Sequence, residues 1–244
     1  MWVVAEVDRA LRFLMHRRRR GLRVELDVGE TDTAGHVVQV LGIPLTEVGR
    51  MTVDGVPVER KVRRNTPLSP GSLIRIGPRD RPQPHTGRFL LDVHLGSLTR
   101  RLRLLGIDAA YDPQADDDVL AVRSAAEDRV LLTRDRGLLF RAVIPDGAFV
   151  RFDGTDDQED DFLERFGPTL APWTRCLVCG DVLTPAATEE VAGDVEPGTQ
   201  RTYQQFSRCS GCGRVYWRGA HSRRLEAIVE RARARLETLR GPAG

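Results

Sequence analysis

Acids that close apolar runs are the residues of this chain best placed to do chemistry. Arg88-Phe89-Leu90-Leu91-Asp92 is a short apolar run ending in a carboxylate, and Val130-Leu131-Leu132-Thr133-Arg134-Asp135 is a second. Between them, Asp116-Asp117-Asp118 stands at the expected start of a helix. In an open α/β sheet, ligands bind at the carboxyl ends of the parallel strands. Carboxylates delivered there by separate strands can share a hard divalent cation, Mg2+ or Mn2+. Such a site lowers the pKa of a bound water and stabilises a phosphoryl group under attack. Asp is also a favoured helix N-cap, and Asp92, Asp117 and Asp135 each precede a predicted helix. Singly, each reads as a cap. Together they read as a metal site, because clustered carboxylates without a cation repel one another.

The cysteines carry a second chemistry. Cys176-Leu177-Val178-Cys179 and Cys209-Ser210-Gly211-Cys212 are C-x-x-C pairs with 29 residues between them. Four thiolates in this arrangement suit tetrahedral Zn2+, and a fourfold protein ligand set leaves no open position, so the zinc is expected to be structural. A thioredoxin-like redox site needs only one pair, and two disulfides are disfavoured in a cytosolic setting. His221 is a further candidate, either as a ligand or as a polar contact in a substrate cleft.

Three groups of elements must position these residues. Leu22 to Val28 alternates apolar and polar, as a half-buried strand does. Thr33 to Leu41 reads as a helix stopped by Gly42. Met51-Thr52-Val53 and Val56-Pro57-Val58 flank Asp54-Gly55, a hairpin turn signal, and Leu68 to Ile76 supplies a turn and a last strand. Strand, helix and strands in this order fit a β-grasp domain over residues 1–80. Val7 to Met15 reads as helix-like. The Arg17 to Arg20 run after it is either a phosphate contact or a mobile loop. Asp80 to Gly87 is polar and Pro-rich and reads as a linker. Residues 88–170 then alternate strand and helix, the pattern of a parallel sheet with crossover helices. In their first helix Leu95, Leu98, Leu102 and Leu105 share a face, with Arg100, Arg101 and Arg103 placed elsewhere and Gly106 as the C-cap. Residues 171–244 hold the cysteines and an Arg-rich helix from about His221 to Leu239.

Charge is balanced overall, with 37 Lys and Arg against 35 Asp and Glu, but not along the chain. From Arg201 to Arg240 ten arginines face Glu226, Glu230 and Glu237, while Asp146 to Glu164 is acidic. This asymmetry implies that one end meets a polyanion. An amphipathic helix with a solvated basic face is the plainer reading. No run of about 18 apolar residues is present and no apolar stretch follows the early basic run, so a cytoplasmic protein with no membrane partner is expected.

Phe89 to Asp108 resembles the opening motif of the family named after the C-terminal RNase-like domain of the mutator-seven exonuclease. Asp116-Asp117 and Leu131 to Leu138 are similar to its next two motifs, and Tyr216-Trp217-Arg218-Gly219-Ala220-His221 is similar to the pattern that ends its zinc ribbon. Val48 to Ile76 is similar to the ubiquitin-like domain with which bacterial relatives often begin. The resemblance implies a PIN-like α/β core in which Asp92, Asp117 (or Asp116) and Asp135 bind a catalytic Mg2+ or Mn2+, with Thr133 and Arg134 at a phosphate. It implies RNA as partner, tRNA or rRNA included, with contacts from Arg100, Arg134, Arg136, Arg218 and His221. Many PIN domains carry a further acid or Asn after the last of these acids, and here Arg136-Gly137-Leu138 follows instead. The β-grasp domain has no Gly-Gly at a free end, so it is expected to dock a protein or RNA and not to be conjugated. The function expected is a metal-dependent ribonuclease. A non-catalytic RNA- or ribosome-binding adaptor is the alternative, and a toxin-like PIN ribonuclease a third reading.

Overall fold

The computed structural model describes residues 1–219 and 222–241. Three sheets organise the chain. The first has strands β1 (Trp2–Val7), β2 (Arg23–Asp27), β3 (Val48–Val53), β4 (Val56–Pro57) and β5 (Leu73–Pro78) in the order β2-β1-β5-β3-β4, with β1 and β5 parallel. Helix α1 (Ala34–Val40) starts at Thr33, whose side chain accepts from the His36 amide, and packs Val37 and Val38 under Val3, Ala5, Ile74 and Ile76. This is the β-grasp arrangement. The β3–β4 turn has positive φ at both Asp54 (51°) and Gly55 (83°), as a tight hairpin requires.

Strand β1 is absent from the sequence reading, and the helix-like segment after it is a 3-10 turn, Arg9–Leu14. The reason is local. Val3, Ala5 and Val7 are buried at the two-residue period of a strand, but Trp2 and Val4 on the other face are also apolar, so no alternation shows.

The second sheet is fully parallel, with β6 (Arg88–Leu91), β7 (Asp108–Tyr111), β8 (Val130–Thr133) and β9 (Gly147–Phe149) in the order β7-β6-β8-β9. The crossovers are α2 (Gly96–Leu104), α3 (Asp117–Ala126) and the short α4 (Arg136–Leu139), followed by α5 (Thr155–Phe166). Phe89, Leu91 and Leu132 face one core with α2 and α5, whereas Leu90 and Leu131 face another with Leu120 and Leu138. Burial on both faces explains why β6 and β8 are unbroken apolar runs. Helix α5 is hidden in an acidic stretch, where only Phe162, Leu163 and Phe166 reach the core.

The presumed linker is a strap packed between the first two sheets. Gln83 is 1% exposed and accepts from Arg165 Nε at 2.9 Å, and Arg81 pairs with Asp161 and Glu164 of α5. Beside it Glu47 and Arg165 form a buried two-pronged ion pair, each contact 3.1 Å, and Glu47 also accepts from the Phe149 amide. Phe149 packs against the cores of both sheets.

The third sheet is antiparallel, with β10 (Leu183–Ala186), β11 (Phe206–Cys209) and β12 (Val215–Trp217), and α6 (Pro197–Thr202) lies between β10 and β11. The chain enters it through a close approach to the end of α2. Gly106 has φ +83°, and a side chain there would collide with the Ala171 carbonyl. Helix α7 (Ser222–Arg240) returns to the parallel sheet and buries Ile228, Val229, Ala232 and Leu236 against α5. Among the described residues no helix is long and apolar enough to cross a membrane.

Candidate active-site rim and metal centre

Strands β6 and β8 are neighbours, while the chain leaves β6 for β7 on its other side. That reversal makes the carboxyl ends of β6 and β8 the switch point at which open α/β sheets bind ligands. Asp92 and Thr133 lie there, 3% and 0% exposed. The Thr133 hydroxyl donates to Asp92 Oδ2 and accepts from the Asp135 amide at 2.8 Å, so it ties the two strand ends together. Asp92 Oδ2 also accepts from the Arg134 amide at 3.1 Å, and Oδ1 accepts from the His94 amide at 2.9 Å. A buried carboxylate is thus satisfied by one hydroxyl and two amide donors.

The other acids share the capping role. Asp135 Oδ1 accepts from the Gly137 amide at 2.7 Å, and Asp116 Oδ1 accepts from the Val119 amide at 2.9 Å. Asp116, not Asp117, is the cap of α3, and Asp117 is in its first turn. Arg141, unmarked by any spacing in the sequence, bonds Asp118 and lies 4.0 Å from Asp117. The Asp118 hydrogen bond raises its guanidinium pKa further. It reaches the acids only because α4 turns the chain back.

The expected RNA contacts separate. The Arg134 side chain pairs with Asp153, and Arg136 donates to the carbonyl of Leu14 in the 3-10 turn after β1. Arg100 is exposed, and Arg218 lies over the Trp173 ring at 5.1 Å. His221 lies outside the described residues. The basic C-terminal helix and the acidic stretch meet each other. Arg231 pairs with Asp156 and Glu159, both at 3.0 Å, Arg235 pairs with Glu164, and Arg101 of α2 joins Asp156 and Glu159.

Among the described residues, the four cysteines are the set of metal-ligating groups whose ligand atoms all lie within 4.8 Å of one another. The rim acids are oxygen donors of the right kind for Mg2+ or Mn2+, but they are not gathered around one point. The sulfurs are. Cys176 and Cys212 are 3.6 Å apart and Cys179 and Cys209 3.3 Å, close to the edge of about 3.8 Å that a tetrahedron of 2.3 Å Zn–S bonds requires. Burial alone would push the Cys176 thiol up, but hydrogen bonds from the Cys179 and Val178 amides and the Tyr216 hydroxyl hold it at about 6. Burial and the neighbouring sulfurs push Cys179 up to about 12. Cys176 is thus shifted toward the thiolate, and ionising Cys179 and Cys212, both shifted toward the thiol, calls for a cation at the centre, which fits zinc.

Arg103 supports that centre. The sequence reading places it off the apolar face of its helix, and it is nevertheless only 2% exposed. Its Nε donates to the Ala109 carbonyl at 2.9 Å and its NH1 to the Val178 carbonyl at 2.6 Å, inside the first C-x-x-C turn. Burial lowers its pKa, and the sulfurs of Cys179 and Cys176 oppose that shift. Four thiolates on Zn2+ carry a net charge of −2, which a buried guanidinium offsets.

Residues 3–83 match the family described as Mut7-C ubiquitin, and residues 87–229 match that described as Mut7-C RNAse domain. Neither a curated protein nor a solved structure matches the chain. The RNAse match spans more than half of the sequence and runs from the first residues of the parallel sheet through the cysteine centre into α7, so the chain belongs to the Mut7-C RNAse domain family.

Proposed function

We propose that the rim at the carboxyl ends of β6, β7 and β8 cleaves RNA phosphodiester bonds with the help of Mg2+ or Mn2+, and that Asp92, Asp117 and Asp135 are its acids. The supporting observation is the buried Asp92 carboxylate, fixed by Thr133 at the switch point of a parallel sheet in a chain of an RNase family. Asp92 is the rigid member. Asp135 and Asp117 sit at the exposed rim, with Asp116 next to them as a cap. A divalent ion bound there would lower the pKa of a water and offset charge on the phosphate. The chain's own cations for the phosphate are Arg134 and Arg141, which already face acids and exchange one anion for another as substrate arrives. Zinc has a structural role in this reading, and the residues divide as 1–80, 88–170 and 171–244, in a cytoplasmic setting.

A second reading, an RNA- or ribosome-binding adaptor, is favoured by the engagement of one oxygen of Asp92, Asp116 and Asp135 in capping. The test is incubation of zinc-loaded protein with Mn2+ or Mg2+ and single-stranded, hairpin or tRNA-like RNA. Cleavage that needs the added ion and is lost in Asp135→Asn, which still binds RNA, supports the nuclease. Intact RNA with both ions on all three substrates leaves the adaptor.

A further inference from the structure

Between the cysteine sheet and the chain leading into it lies a cleft of about 860 Å3. Its walls carry four aromatic rings, Trp173, Tyr203, Tyr216 and Trp217, and two arginines, Arg175 and Arg218, with no carboxylate among the lining residues. Trp217 is 40% exposed on the edge strand β12. Trp173 has φ +67°, a region that bulky residues rarely enter and that concentrates at functional sites. Its amide donates to the Leu104 carbonyl at 3.1 Å, which fixes this backbone on the end of α2, and Arg218 covers its ring.

The charge around the cleft points to the occupant. Along α7, Arg231, Arg233 and Arg235 are paired with carboxylates. Arg223 and Arg224, at the end of α7 nearest the cleft, are exposed, and among the described residues they form no ion pair. Flat rings beside unpaired guanidinium groups are the two components that hold single-stranded nucleic acid: bases stack on the rings and phosphates meet the cations. A duplex hides its base faces and cannot use such a recess.

We propose that this cleft binds single-stranded RNA by stacking an unpaired base on Trp217 and Trp173, with Arg218 on a flanking phosphate, while Arg175, held by Asp108 at 3.6 Å and the Gly180 carbonyl at 3.0 Å, shapes the wall. The proposal rests on the reading of the parallel sheet as acting on RNA, and it names single strands as the substrate class. Cleft and rim lie at opposite ends of α2, whose nine residues span roughly 13 Å. Arg100, exposed midway along α2, and Arg214 line a second groove together with Asp194, whose carboxylate is paired with Arg208, so a strand anchored at the cysteine sheet meets two further arginines on the way toward Asp92.

The test uses the full chain with its zinc, in buffer without Mg2+ or Mn2+ so that no cleavage intervenes. Octauridylate and an RNA duplex of equal length are titrated while tryptophan fluorescence is read, in a Trp2→Phe background because Trp2 is also exposed. Octauridylate should quench the fluorescence saturably and bind at least tenfold more tightly than the duplex. Trp217→Ala and Arg218→Ala should each weaken binding on the order of tenfold, with zinc content unchanged, and Trp217→Phe should recover most of the loss. Equal affinity for the duplex, wild-type affinity in both alanine variants, or equal displacement by an octaglutamate peptide would overturn the proposal. RNA that binds through Trp217 but is never cut leaves the cleft standing and removes the nuclease. RNA that is cut equally well by Trp217→Ala does the reverse.

Discussion

Asp92 and Asp135 respond differently to the same substitution, because one is enclosed and the other is not. In Asp92→Asn the remaining oxygen can cap the His94 amide, but the new amide nitrogen faces the Arg134 N–H. Two donors then meet in a buried place, and the variant should be less stable by about 1–3 kcal/mol. Asn is as good an N-cap as Asp, so Asp135→Asn should stay within about 0.5 kcal/mol of wild type. Urea unfolding of the two variants checks this, and equal losses would mean that the Thr133–Asp92 contact does not govern the rim. The positions of these acids are legible in the sequence, since each closes an apolar run. Their satisfaction by amides is not, because it depends on which oxygen turns toward which backbone. Arg141 is illegible for a related reason: it meets Asp118 across 23 residues of chain.

At the scale of elements, α5 shows why net charge along a sequence misleads. Its acids read as one pole of a molecule whose other pole seeks a polyanion, and in the fold they lie under the arginines of α7 and α2. Glu159 is fully buried there, and burial raises its pKa above the ordinary range while Arg231 and Arg101 pull it back only in part. A raised carboxyl contributes its stability below the unfolded value of about 4.3 and loses it as pH rises to the folded value. Across that window Glu159→Gln should lose less stability with rising pH than wild type, measured by urea unfolding from pH 4 to 7. A parallel slope in both proteins would show that the arginines compensate the burial. In α2, Arg103 is legible as an arginine and illegible as a buried one, since its partners are the Ala109 carbonyl and a cysteine turn 75 residues away. Arg103→Met should cost on the order of 3 kcal/mol and speed zinc release to a chelator. Unchanged zinc retention would show that the thiolate charge is balanced elsewhere.

Over the whole molecule, three groups of elements were expected, and the described residues form a sheet in each, because a two-residue period, an alternation of strand and helix, and paired cysteines each mark a local unit. What joins the units is not marked. Glu47 sits in a turn after Pro44, Gln83 in a Pro-rich stretch and Arg165 at the end of an acidic helix, and none of these contexts signals burial. Their meeting makes one body of the β-grasp and parallel sheets. Glu47→Ala should cost about 3–5 kcal/mol, the loss expected when a buried ion pair is broken from one side. Both sheets should then unfold in a single transition at a lower midpoint, followed by fluorescence of Trp2 in the first sheet, in a Trp173→Phe, Trp217→Phe background, and by far-ultraviolet circular dichroism. Two separated transitions would show that the sheets are energetically independent.

The Glu47–Arg165 pair also bears on how such a protein can be taken apart or assembled over evolutionary time. A gene fragment encoding only the RNase-like part would leave Arg165 without its carboxylate and Phe149 without half of its packing. A fragment encoding only the ubiquitin-like part would strand Glu47 in the same way. Domain shuffling favours modules whose surfaces are complete when alone, and neither part meets that condition. Descent should therefore preserve the two as a pair, and a substitution at Glu47 should persist only where a matching change at Arg165 arises with it.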